Sequence, residues 1–198
     1  MYGYFDRLMI LNGDPGPDAA RFSLITCQHP SMEPGAKECF LELADAAKNW
    51  LAVDGLWFQA VESAYGMDAA VAMDCRVWEQ FAAIEARRIR ERLRLPDRGG
   101  LESLETAFRN RLLAHANEYE IRREEKALIV TAKTCRVQAA RERKGMEPFG
   151  CRPVGLIEFA VFARTIDPRA VTECLSCPPD QAPGMKYCSW KITLDGEK

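Results

Sequence analysis

Apolar residues recur at three- and four-residue steps from Ala36 to Tyr65, through Phe40, Leu43, Ala47, Trp50, Leu51, Trp57, Phe58 and Val61. That period predicts a helix with one inward stripe, which Asp54–Gly55 is expected to kink or divide. Gly66 is a stop signal and Asp68 a start signal for a second helix, which should end near Leu95, before Pro96. Leu101, Leu104, Phe108 and Leu112 mark a third helix. The period then changes. EYEIRR and ALIVTAKT, separated by a charged turn, read as a β-hairpin because the second segment is rich in β-branched residues. CRVQAARERKG reads as a short basic helix. Cys151–Thr165 is apolar nearly all round, which predicts a helix buried on most of its faces. Two strands, about Ala170–Leu175 and Tyr187–Leu194, close the chain.

Residues 1–36 carry NGDPGPD and QHPSMEPG, so an irregular arm is expected there, with at most a short strand at Leu8–Leu11. The remainder, 37–198, reads as one α+β domain: N-terminal helices packed on an antiparallel sheet of about four strands, with the buried helix between the second and third.

Composition narrows the function classes. Net charge is −2, so no global basic field attracts nucleic acid. No apolar run of membrane-spanning length occurs, and MYGYFDRLMILNGDPG lacks the basic and apolar regions of a signal peptide. A cytoplasmic protein is expected. In that compartment eight cysteines read as thiols, metal ligands or redox groups rather than a disulfide framework. No Ser-His-Asp order, HExxH, P-loop or GxGxxG is present. His29 falls in the arm, and His115 continues an apolar stripe as a core residue.

The densest chemistry is in TECLSCPPDQAPGMKYCSW, residues 172–190. Residues three apart on a regular strand face opposite ways, so Cys174 and Cys177 meet only if the chain bends, as Pro178–Pro179 suggests. The returning strand brings back Cys188. Cys151, with Cys135 in reserve, would complete four thiolates, the ligand set of zinc or an iron–sulfur cluster. The same group without metal is a redox pair or a set of buried thiols.

Carboxylates on apolar stripes are the second constellation. Asp54 and Glu62 share a helical face with Phe58 between them, and Asp74 sits on the stripe of Val71, Val77, Trp78 and Phe81. Glu158 is the one charge between Arg152 and Arg164, on the face of Cys151. A carboxylate removed from water needs a partner or gains a proton. Glu62 and Glu158 are therefore acid/base candidates, and Glu158 is expected to pair with an arginine. Arg87, Arg90, Arg92 and Arg94 read as a solvated face, with Arg88 the inward exception. Arg141 and Arg169 are candidate clamps for a substrate carboxylate.

VDGLWFQAVESAYGMDAA, CRVQAARERKG, C-x-P-V-G-L-I-E-F-x-x-F-A-R-T-I-D-P-R and T-E-C-L-S-C-P-P-D…Y-C-S-W-K resemble an uncharacterised prokaryotic family labelled only "cytosolic protein", over Leu41–Leu194. That family is distantly similar to the L-2-amino-thiazoline-4-carboxylic acid hydrolase family. The closing acid–Cys–loop–Cys–aromatic pattern is similar to 4-vinyl reductase domains, which have an α+β ligand-binding fold. These likenesses imply a small-molecule-binding protein with a cysteine-rich metal, cluster or redox site. Alternatively they imply a hydrolase of a small sulfur- or nitrogen-containing acid, with a cysteine nucleophile, Glu62 or Glu158 as acid/base and Arg141 or Arg169 as clamp. A third expectation is a homo-oligomeric interaction module, which exposed apolar helix faces would favour.

Overall fold

A computed structural model describes residues 35–196. The expected strand at Leu8–Leu11 and His29 lie outside the described residues, as does the arm except for its last positions. Six helices and four strands are present among the described residues: α1 (Ala36–Tyr65), α2 (Met67–Leu93), α3 (Gly100–Arg109), α4 (Leu112–Ala116), β1 (Tyr119–Arg123), β2 (Leu128–Ala132), α5 (Arg136–Arg143), α6 (Arg152–Ile166), β3 (Ala170–Ser176) and β4 (Ser189–Leu194). The α+β class and the helices-then-strands order match the periodicities of the sequence. All but the first turn of α1 belongs to one unit, Cys39–Lys198. Among the described residues no helix is long and apolar enough to cross a membrane.

The elements end where the chain chemistry ends them. Gly66, at φ 87°, separates α1 from α2 in a backbone region that favours glycine. At the far end of α2, Arg94 turns left-handed (φ 53°) and caps the carbonyls of Arg90 and Glu91 just ahead of Pro96. Two expectations need correction. α1 runs through Asp54–Gly55 without interruption, because Leu51 on one side and Phe58 on the other keep its inner face seated. The third helix breaks at Asn110–Arg111 rather than continuing through Leu112. Arg111 takes an extended conformation, and the Leu112 amide donates to Oε1 of Glu85 at 2.7 Å instead of to a helical carbonyl.

The antiparallel sheet has the order β1-β2-β4-β3. Val130 opposes Trp190 and Leu128 opposes Ile192 across β2 and β4, and Cys174 opposes Trp190 across β3 and β4. α6 packs against α2 on one side and β3 on the other, while α3 lies on β1, β2 and β4. The main core joins Ala82, Ala86 and Ile89 of α2 to Phe159, Phe162, Ala163 and Ile166 of α6 and to the sheet residues Leu128, Val130, Trp190 and Ile192. α6 is therefore buried along one broad face, not all round: Leu156 and Arg164 are exposed. A second cluster forms under α1, where Trp50 stacks on Phe81 at 5.0 Å and meets Trp78 edge-on at 5.9 Å.

Gly155 sets how closely α6 approaches the sheet. A methyl group on it would collide with the Trp190 indole, standing 2.8 Å from Cη2 and nearer still to Cζ2. Phe159 stacks on the same indole at 4.7 Å. Gly155→Ala should therefore cost about 1–3 kcal/mol through overpacking. Denaturant titration checks this; an unchanged midpoint would contradict the close contact.

Candidate functional site

A cavity of about 640 Å³ opens between α1, α2, α5 and the start of α6, at the cysteine-bearing end of the sheet. Its size is typical of small-molecule sites. Phe58, Trp78, Tyr119, Phe149, Phe159 and Trp190 supply aromatic walls; Asp54, Asp74 and Glu158 bring carboxylates from three helices; Cys135, Cys151 and Cys188 bring sulfur.

A buried ion triad stands behind the carboxylate wall. Arg111 of the α3–α4 break donates through Nε to Oε2 of Glu85 at 2.9 Å, and its Nη1 lies 2.7 Å from Oε1 of Glu158. The guanidinium also faces the Phe162 ring at 4.4 Å. Burial works against the Arg111 charge, but the two glutamates more than offset it and hold its pKa above the usual value. Glu158 is pushed up by burial, against the pull of Arg111. The expected arginine partner of Glu158 is thus present. It is Arg111, a residue with no local sequence signal, while Arg88, the expected inward arginine, is exposed. His115 is half-buried beside Phe40, the ring centroids 6.0 Å apart.

Among the described residues Asp54 and Asp74 make no ion pair. Burial pushes both upward; Asp74 reaches about 7 because Asp54 and Glu158 add their repulsion, partly opposed by a hydrogen bond from Trp78. Glu62 and Arg141 pair with each other. Arg141, buried, grips Glu62 with both Nη atoms at 2.6 and 2.9 Å and donates through Nε to the Glu147 carbonyl at 2.6 Å. The hydrogen bond from Arg141 draws the Glu62 pKa down, so Glu62 stays ionised. Arg169 binds Asp167, which also accepts from the Gly100 amide at 3.0 Å, and neither residue lines the cavity.

Cys151 and Cys177 meet through local backbone devices. A β-bulge between Cys174 and Ser176 shifts the register of β3 against β4. Cys177 then pairs in an isolated bridge with Asp180, so the chain reverses across Pro178–Pro179. Cys151 is the N-cap of α6, and its Sγ lies 3.3 Å from Sγ of Cys177. Gln138 fixes that turn: its amide donates to the Phe149 carbonyl at 2.7 Å, accepts from the Phe149 amide at 3.0 Å, and points Nε2 at Cys151 Sγ from 3.9 Å. Cys135 and Cys188 line the cavity near this pair, while Cys174 lies on β3.

The proton distribution is asymmetric. The hydrogen bond from Cys177 lowers the Cys151 pKa against the effect of burial, and Gln138 and the Cys151 amide assist. Cys177 is raised by the same contact and by burial, and Cys188 by burial. Of the two thiols, Cys151 is therefore the one whose ionisation is favoured, with the start of a 15-residue helix behind it. Among the described residues no group of three or more His, Cys, Asp or Glu is arranged to hold a metal ion. Two thiolates on a tetrahedral zinc would stand about 3.8 Å apart, given Zn–S bonds of about 2.3 Å; the 3.3 Å approach of Cys151 and Cys177 is closer.

Residues 35–194, nearly the whole described chain, match the profile of a family of unknown function, DUF6125. The chain belongs to that family. No curated protein and no solved structure matches it. Family membership therefore accounts for the long motifs without naming a reaction, and the site must be read from its geometry.

Two outcomes are expected. Glu158→Gln leaves Arg111 undercompensated and should cost about 3–5 kcal/mol in denaturant unfolding; no loss would contradict the triad. Asp74, raised from 3.8 to about 7, holds a proton in the folded state that the unfolded chain has released. Its contribution to stability thus falls as pH rises between those two values, and levels off above them. Asp74→Asn should flatten that part of the melting-temperature profile and raise the melting temperature at the alkaline end. An unchanged slope would contradict the buried, repelled carboxyl.

Proposed function

We propose that the chain is a small-molecule-binding protein whose cavity ends at a redox-active thiol pair, Cys151 and Cys177. The 3.3 Å approach of the two sulfurs carries the reading. One sulfur lines the cavity at a helix N-terminus, and the other is buried behind it. An accessible, favoured thiolate with a second thiol in contact is the arrangement that oxidises to a disulfide. The sulfurs need only close from 3.3 Å to the bonded distance of about 2.05 Å. The aromatic walls supply apolar contact for a ligand, and the carboxylates supply polar anchors. Metal has no part in this proposal. A cytosolic setting suits it, because the pair is then reduced at rest.

The distant likeness to the L-2-amino-thiazoline-4-carboxylic acid hydrolase family supports a hydrolytic alternative less well. That reading asks Glu62 or Glu158 for acid/base work and Arg141 or Arg169 for a carboxylate clamp, and each is already engaged by an intramolecular partner. Self-association is a compatible second role. Val53, Leu56 and Trp57, three and four residues apart on the outer face of α1, are all more than half exposed.

Limiting hydroperoxide followed by non-reducing peptide mapping tests the thiol pair on the full chain. A Cys151–Cys177 link is expected as the first disulfide, and Cys151→Ser should abolish it. Oxidation that spares Cys151 would contradict the proposal.

A further inference from the structure

The cavity wall repeats one pattern on two helices. Asp54 stands one turn before Phe58 on α1, and Asp74 one turn before Trp78 on α2. All four side chains line the cavity. A carboxylate beside an aromatic face is the recognition chemistry of an organic cation. Glu158 already has its cation in Arg111, whereas Asp54 and Asp74 have no ion-pair partner among the described residues. The basic side chains that reach the cavity do not fill the gap. Lys48 binds Asp45, Arg141 binds Glu62 and Lys144 donates to Gln59, while Arg136 and Arg143 are exposed.

A second observation is independent of the carboxylates. Trp190 is 1% exposed and lines the cavity, yet its Nε1–H has no hydrogen-bond partner among the described residues. The Cys188 sulfur, two residues earlier on the same cavity wall, is a weak acceptor. Phe159 stacked on the ring face and Gly155 against the ring edge hold the indole in place, so the N–H cannot turn to another partner. A buried N–H is costly to leave unpaired, and an acceptor entering the cavity removes that cost.

We propose that the cavity takes a small organic amine, bound as its ammonium ion, with an apolar body and a hydrogen-bond acceptor away from the charge. The ammonium meets Asp54 and Asp74, the body lies against Phe58 and Trp78, and the acceptor takes the Trp190 Nε1–H. The inference rests on the reading of this cavity as a small-molecule site and names the class of ligand. A bound cation offsets the repulsion that Asp54 and Glu158 exert on Asp74. A ligand carboxylate in the same place would add to it.

Isothermal titration calorimetry on the reduced full chain tests this with tyramine, para-propylphenol and para-hydroxyphenylpropionate. The last two keep the shape of tyramine and replace its ammonium by a methyl group or a carboxylate. Tyramine should bind about tenfold tighter than either, and tighter than phenethylamine, which lacks the acceptor. Asp54→Asn and Asp74→Asn should each weaken tyramine about tenfold and leave para-propylphenol unchanged, a pattern that loss of folding would not produce. Equal or tighter binding of the neutral or anionic probe would overturn the inference and leave the small-molecule site standing. Tyramine affinity unmoved in both aspartate variants would also overturn it. If neither amine binds, the inference falls, while formation of the Cys151–Cys177 disulfide still decides the thiol-pair reading separately.

Discussion

Arg111 is the residue on which the site depends. A glutamate on the inner face of α6 would be too costly to keep ionised in an apolar core without a cation beside it. Arg111 supplies that cation, and a second glutamate, Glu85 of α2, shares it. Three segments far apart in sequence are thereby tied at one point: α2, the break after α3, and α6. The same break frees the Leu112 amide for Glu85, so the end of one helix and the pairing of the triad are one event. Buried ion groups of this kind contribute little net stability compared with apolar residues of the same volume, but they are expensive to break on one side. Their value here is positional, since Glu158 and Cys151 are carried on the same helix face.

The close approach of that helix to the sheet has a separate cause. Gly155 removes the side chain that would strike Trp190, and Trp190 pairs with Cys174 across β3 and β4. Cys151, one turn before Gly155, is thereby delivered to the place where the bulged β3 delivers Cys177. Gln138 completes the arrangement by holding the Phe149–Cys151 turn from α5. The thiol pair thus results from four local facts, a glycine, a bulge, a chain reversal and a side-chain amide, each in a different element.

Much of the fold was legible in the sequence because its signals are local. Helix periods, the stops at Gly66 and Pro96, and the β-branched run at 127–134 each report on their own neighbourhood. The chain reversal at Pro178–Pro179 is legible from two prolines, whereas the bulge before it leaves no mark of its own. Long-range pairings were less accessible. Glu62 and Arg141 were selected for opposite roles and turn out to bind each other across 79 positions. Arg111 gives no signal because RNRLL reads as the end of an amphipathic helix, and its partners lie on α2 and α6. Arg88 follows an apolar stripe but is exposed, since the inner face of α2 at that level is taken by Glu85, Ala86 and Ile89. Gln138 carried no signal beyond its place in a motif.

The central claim is that contact with Cys177 favours ionisation of Cys151 at the cavity wall. A titration of thiolate ultraviolet absorbance, comparing the full chain with Cys151→Ser, isolates that group. The account predicts a Cys151 transition below that of an ordinary cysteine, and a shift upward when Cys177 is replaced by alanine. A transition at or above the ordinary value, unmoved by Cys177→Ala, would contradict it.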